Sequence, residues 1–176
     1  MFLSRTSTTQ QPISRAALLR GKFKEPPAPV RPPGALPESA FVDACTLCND
    51  CMGACPTRII VPGSGGFPIL DFSRGECTHC GECASVCKEG VLIRAAAPSK
   101  HGLVAKASET CLSMRGVTCR ICGERCDQRA ITFKLAVGGR ATPEIKNEAC
   151  NGCGACVAPC PVGAINIFLL EKGVLA

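Results

Sequence analysis

The sequence predicts an α+β protein of two similar small modules, each built from short antiparallel strands and short helices, behind an extended N-terminal arm. Three observations carry that prediction. The chain has 176 residues, and 16 of them are cysteines gathered in four runs. Each run is followed by a short aliphatic, β-branched stretch, so that loop, short helix and strand recur. The first 40 residues contain no cysteine and are rich in Ser, Thr, Gln and Pro. The expected division is an arm over 1–40, a first module over 41–97 and a second over 98–176.

Within the arm, Ile13 to Arg20 has the spacing of a short basic amphipathic helix, with Ile13, Ala16, Ala17 and Arg20 near one face. Lys24 to Ser39 holds six prolines. That composition favours extended polyproline II chain over a packed core. The arm is read either as disorder or as a segment that docks on a partner.

The first run is Cys45-Thr-Leu-Cys48-Asn-Asp-Cys51-Met-Gly-Ala-Cys55-Pro56. Arg58 to Val61 follows as a strand, Pro62 to Gly66 as a turn and Phe67 to Phe72 as the next strand. The second run is Cys77-Thr-His-Cys80-Gly-Glu-Cys83-Ala-Ser-Val-Cys87, with Lys88 where the first run has proline. Gly90 to Ile93 is its strand. Ala95 to Ser99, small and broken by proline, is the joint between modules, and Leu103 to Ala105 reads as a strand. The third run is irregular. Cys119-Arg-Ile-Cys122-Gly-Glu-Arg-Cys126 keeps the later spacings, but seven residues separate Cys111 from Cys119 where the other runs have two. Ala130 to Leu135, a turn at Val137 to Gly139, and Ala141 to Lys146 follow. The fourth run, Cys150-Asn-Gly-Cys153-Gly-Ala-Cys156-Val-Ala-Pro-Cys160-Pro161, is the most regular and leads into a last strand, Ala164 to Phe168.

Three thiols two residues apart, a fourth three residues further on and then proline is the bacterial ferredoxin pattern for a [4Fe–4S] cluster. A tight loop presents thiols at i, i+3 and i+6 to one centre. The fourth thiol is expected to start the following helix and point to the neighbouring cluster. Structural zinc uses two cysteine pairs per tetrahedral site, which leaves the third thiol of each run without a role. Disulfides need an oxidising compartment and so a leader. Met1 to Gln10 has no apolar core of the length a leader needs, and Ala16 to Leu19 is too short. No stretch is long and apolar enough for a membrane helix. The expectation is a cytoplasmic protein with reduced thiols, no stable membrane insertion and four [4Fe–4S] clusters. Small domains with thin cores need such staples, and this chain has no Trp or Tyr and only seven Phe.

The gaps between runs decide how they pair. The first and third gaps share a Gly-Gly turn followed by proline and isoleucine (Gly65, Gly66, Pro68, Ile69; Gly138, Gly139, Pro143, Ile145), which the middle gap lacks. Runs one and two therefore form one module, and runs three and four the other. The crossing rule then gives the ligand sets. Cys45, Cys48 and Cys51 go with Cys87. Cys77, Cys80 and Cys83 go with Cys55. Cys111, Cys119 and Cys122 go with Cys160. Cys150, Cys153 and Cys156 go with Cys126. The widened spacing at Cys111 leaves a [3Fe–4S] or labile site as the alternative for the third.

Formal net charge is +6, but residues 1–34 hold six basic groups against one acidic, and the remaining 142 residues hold 14 against 13. A [4Fe–4S] core with four thiolates carries a charge of about −2, so four of them make the folded core strongly acidic, at about −7. The basic composition is thus no argument for nucleic acid, and no aromatic platform for single strands is present. Arg115, Arg120, Arg125 and Arg129 surround the third run. They are read as a solvated face that offsets cluster charge, or else as a docking patch for an acidic partner. Gly81, Gly123, Gly152 and Gly154 suit turning and close backbone approach. His79 and His101 are read as plain surface residues. No catalytic base or substrate-binding motif is evident, so no catalytic residue is expected and the chain does not read as an enzyme.

Four such runs in one short chain, the widened third run, a short N-terminus containing Ser-Arg, Arg31-Pro32-Pro33 and the ending Cys150-Asn-Gly-Cys153-Gly-Ala-Cys156 together resemble the NapF family. These are ferredoxin-type accessory proteins of the periplasmic nitrate reductase system. The resemblance implies a cytoplasmic iron–sulfur protein that acts on the molybdoenzyme subunit NapA before its export, by electron transfer or by assisting cofactor or cluster maturation. The alternative is an electron-wire polyferredoxin subunit of a larger redox complex. A third reading, a zinc or nucleic-acid scaffold that uses the basic arm, would lack iron.

Overall fold

The computed structural model describes residues 29–94, 102–137 and 140–170. The amphipathic segment expected at Ile13 to Arg20, the joint at Ala95 to Ser99, His101, and Gly138 and Gly139 of the expected turn lie outside the described residues.

Module one begins earlier than its composition indicates. Val30 accepts the amide of Leu70, and Ala35 bridges Leu92 in antiparallel sense. Leu36 donates to the carbonyl of Val91, and Ile93 donates to that of Gly34. Residues 29–37, assigned to the arm because of their prolines, are instead packed as an edge of module one, with Pro32 fully buried. Proline lacks an amide but keeps its carbonyl. An edge segment can therefore carry several prolines and still pair through the residues between them.

Arg31 fastens this segment. Its guanidinium lies 5.0 Å from the ring centre of Phe41 and 5.5 Å from that of Phe67. It donates to the carbonyl of Pro68 at 3.0 Å and holds both carboxylate oxygens of Glu38, at 3.0 and 2.5 Å. Helix α1 (Glu38–Ala44) follows and buries Phe41 completely. The amide of Cys45 closes its last turn on the carbonyl of Phe41, so the first thiol is set at the helix end.

Strands β1 (Ile60–Pro62) and β2 (Pro68–Leu70) form an antiparallel hairpin with Ile60 opposite Leu70. The helices that follow the runs are short: α2 (Asp50–Ala54), α3 (Glu82–Ser85) and, in module two, α4 (Ile121–Glu124). Each holds the third thiol of its run. The fourth thiol was expected to start a helix, but it stands at or just past the helix end: Cys55 is the C-terminal cap of α2 with extended backbone. One turn of helix after the third thiol uses up the three-residue spacer.

Module two repeats the plan with longer strands. Strand β3 (Leu103–Ala107) pairs antiparallel with β6 (Ile165–Leu169), with Ala105 opposite Ile167. Strands β4 (Ile131–Leu135) and β5 (Ala141–Ile145) form the hairpin, with Ile131 opposite Ile145. The bridge between Ala35 and Leu92 is the module-one counterpart of β3 with β6. The protein is thus an α+β chain of two tandem ferredoxin-like modules, as its sequence predicts.

The cores are apolar walls around thiols. Ile59, Ile60, Leu70 and Phe72 pack with Cys51, Cys55, Cys77 and Cys83, and Leu103, Val157 and Ile167 join from module two. Phe41, Val91 and Leu92 pack with Cys45, Cys51, Cys83 and Cys87. In module two, Cys122 and Cys156 are core residues themselves, beside Ala105, Ile131 and Ile165. Among the described residues no helix is long and apolar enough to cross a membrane.

Candidate metal centres

The ligand loops share an unusual backbone. In the first run Leu47 and Asn49, on either side of Cys48, have φ of 58° and 66°. In the second run His79 and Gly81 flank Cys80 with 55° and 80°, and in the fourth Gly152 and Gly154 flank Cys153 with 68° and 79°. Left-handed residues on both sides of the second thiol curl the loop so that three side chains face one centre. L-residues resist that conformation by about 1–2 kcal/mol each, and only the fourth run uses glycine at both positions. The third run lacks this turn. Arg120, after Cys119, has φ −134°, and the extra residues form a 3-10 turn over Ser113–Arg115 closed by Gly116 at φ 87°. The insertion replaces a double left-handed turn with a longer arc, and it buries Cys111.

All sixteen cysteines are free thiols. One cavity is walled by Cys45, Cys48, Cys51 and Cys87, together with Phe41, Met52 and Leu92. A second is walled by Cys55, Cys77, Cys80 and Cys83, together with Ile59, Ile60 and Leu70. In each, three thiols come from one run and the fourth from its neighbour. In module two, Cys122 lies close to Cys111 and Cys119, and Cys153 lies close to Cys126 and Cys150. Cys160 packs on the core that holds Cys122 and Cys156.

This crowding has an electrostatic signature. Burial first, and then the neighbouring Cys48, Cys45 and Cys87, push the Cys51 thiol up to about 11. Burial likewise raises Cys77, Cys83 and Cys122 to about 11 and Cys156 to about 12, with neighbouring thiols adding to the effect. Four thiolates cannot share such a cavity without a compensating positive centre. The iron of a cluster provides one. Soft thiolate donors in an apolar wall therefore fit the group well.

Some fourth thiols are treated differently. Burial would raise Cys55, but hydrogen bonds from Thr57 and from the amides of Ile59 and Ile60 hold it below its ordinary value. In module two the amide of Ala130 donates to Cys126 Sγ at 3.3 Å, and that of Ala164 donates to Cys160 Sγ at 3.2 Å. Amides aimed at ligand sulfur stabilise its negative charge and are one of the controls on cluster potential.

Several residues near the sites escape a sequence reading. His79 is not a plain surface residue: its ring is half-buried in the wall of the second cavity, with Nδ1 3.9 Å from Cys77 Sγ. Arg94 lines the same cavity and approaches Gly81. The left-handed position before Cys80 gives no signal in sequence, because histidine replaces the glycine found there in the fourth run. Arg115, Arg120, Arg125 and Arg129 are exposed, and none has an ion-pair partner among the described residues. The Arg120 guanidinium stands 5.5 Å from the ring centre of Phe133.

Two modules, each with eight thiols in interleaved runs, define a ferredoxin-type protein of four [4Fe–4S] clusters. Comparison agrees: the family model described as a 4Fe-4S dicluster domain matches residues 44–92, and a second of the same description matches residues 116–164. The chain is 37% identical over 158 residues to the ferredoxin-type protein NapF of Escherichia coli K12, covering 90% of this chain and 96% of that protein. It is 41% identical over 175 residues to the ferredoxin-type protein NapF of Haemophilus influenzae, covering 93% and 98%. The methylamine utilization ferredoxin-type protein MauM of Methylorubrum extorquens is 33% identical over 179 residues, covering 91% and 80%. The chain belongs to the NapF family of ferredoxin-type proteins.

Proposed function

We propose that this chain is a cytoplasmic iron–sulfur accessory protein, not itself an enzyme, that serves the catalytic subunit NapA of a periplasmic nitrate reductase before export. It does so by passing electrons or by assisting cofactor or cluster maturation. The observation that carries this reading is similarity to two NapF proteins over 90% and 93% of the chain, in a protein whose sixteen cysteines are all free thiols. Reduced thiols in this number suit a reducing compartment.

The proposed ligands are Cys45, Cys48, Cys51 and Cys87 for the first site, and Cys77, Cys80, Cys83 and Cys55 for the second. Cys111, Cys119, Cys122 and Cys160 hold the third, and Cys150, Cys153, Cys156 and Cys126 the fourth. The four-thiol cavities of module one support the first two sets. A bound [4Fe–4S] cluster supplies a one-electron couple. The chain's part is to hold it by thiolates, to aim amides such as those of Ala130 and Ala164 at the sulfurs, and to leave one edge near solvent. Cys48 and Cys80 are the exposed thiols.

The test replaces Cys153 with serine in the full chain. Iron and sulfide should fall by one cluster's worth, and NapA matured beside the variant should be less active after export. Normal maturation of NapA by a variant that has lost the fourth site would sink the proposal. The other reading, a permanent wire subunit, is favoured by the direct contact between modules at Cys77 and Cys153. A stoichiometric complex that survives purification would decide for it.

A further inference from the structure

The two modules meet at their ligand loops. The amide of Cys77, the first thiol of the second run, donates at 2.7 Å to the carbonyl of Cys153, the second thiol of the fourth. Among the described residues, no other backbone hydrogen bond crosses between modules. Both glycines that flank Cys153 press on buried side chains. A Cβ on Gly154 would stand 2.0 Å from Cδ1 of Phe72, and one on Gly152 would stand 2.3 Å from Cβ of Leu103. Phe72 and Leu103 belong to one core, which Val157 and Ile167 complete.

The geometry points to a seam that sets the second and fourth sites side by side, with Gly154, against Phe72 of module one, as the positioning residue, so that the four sites lie in a row ordered first, second, fourth, third. The other neighbours in the row share cores. Cys51 and Cys83, from the first and second sites, pack on the same two cores. Cys156 and Cys122, from the fourth and third, are members of one. The first and third sites are then the ends of the row, and the third is the end whose run carries the exposed Arg115, Arg120, Arg125 and Arg129. A side chain at position 154 cannot be added without moving Phe72 or the loop, so the spacing of the middle pair depends on the absence of that Cβ.

The inference rests on the ligand sets proposed above, and its test separates the two. The variant Cys48→Ser with Cys119→Ser leaves only the second and fourth sites with complete ligands. Iron and sulfide are measured first. Retention of other than two clusters overturns the ligand sets, and the row with them. With two clusters present and dithionite as reductant, electron paramagnetic resonance should show two spins that broaden and relax one another. Two isolated, slowly relaxing signals would overturn the seam alone. Should that variant fold poorly, the unaltered protein serves by hydrogen exchange. The Cys77 amide should exchange about tenfold or more slowly than that of Thr78, and Gly154→Ala should remove the difference while Gly53→Ala preserves it. A Cys77 amide that exchanges as fast as Thr78, or that ignores Gly154→Ala, refutes the seam.

Discussion

Replacing Arg31 with alanine should release residues 29–37 from module one while leaving the clusters in place. The side chain is only 11% exposed, and it makes three kinds of contact. A charged donor to a buried carbonyl contributes about 1.5–3 kcal/mol, here to Pro68. Contact with each aromatic face adds about 0.5–1 kcal/mol. The ion pair with Glu38 adds no more than about 1 kcal/mol, because the Glu38 side chain is 50% exposed. Against these stands the loss of about 2 kcal/mol of side-chain freedom on ordering an arginine. The net is about 2 kcal/mol, or roughly a 30-fold change in a local opening equilibrium. Hydrogen exchange at the amides of Leu36 and Ile93, which join this segment to residues 91 and 34, reads that quantity directly. Both should lose about 30-fold protection in Arg31→Ala. Arg31→Lys should fall between, because it keeps the charge but loses the fork that reaches Glu38 and Pro68 together. Unchanged protection in the alanine variant would refute the claim that Arg31 fastens the segment. Equal loss at the amides of β4 and β5, in the other module, would show general unfolding instead.

Two further predictions concern the same module. Gly53 sits inside α2 with open space where a Cβ would go, so Gly53→Ala should raise thermal stability by about 0.4–1 kcal/mol, through a less mobile unfolded chain; cluster loss followed by absorbance on heating checks it. The hydrogen bond from Arg31, against a smaller effect of burial, holds Glu38 below its ordinary value of 4.5. A depressed carboxylate stabilises the folded state above 4.5, and that contribution vanishes as pH falls through the lower folded value. Protection at Leu36, corrected for the intrinsic rate, should therefore be constant from neutral pH to about 5 and decline below 4.5, by less than about 1 kcal/mol.

What could be read from the sequence is what covalent spacing dictates. A three-thiol loop and a crossing fourth thiol follow from the distances along the chain, and the cavities walled by Cys87 with Cys45, Cys48 and Cys51, and by Cys55 with Cys77, Cys80 and Cys83, have that composition. Ile131 to Leu135 and Ala141 to Ile145 were legible because β-branched residues flank a Gly-Gly pair in the sequence. Residues 29–37 were not, since prolines spaced for polyproline II are equally compatible with a sheet edge. What decides is Arg31 reaching Phe41, Phe67 and Pro68, contacts made across up to 37 residues of chain. His79 was misread for a similar reason: one imidazole in a loop shows no sign of the wall it will join. Gly152 and Gly154 were flagged as turning residues, which they are. The room that Gly154 leaves for Phe72 depends on how two modules meet, and no local pattern encodes that.

The cores of this protein hold thiols where larger domains hold leucine, and among the described residues its sheets have two strands each. A two-stranded sheet is marginal by itself, and metal binding of this kind contributes directly to the free energy of folding. It follows that the folded population is a readout of supply. When iron and sulfide are scarce, new chains lack the centres that draw their walls together and stay open to proteases. The amount of folded protein should then follow the supply of clusters after translation.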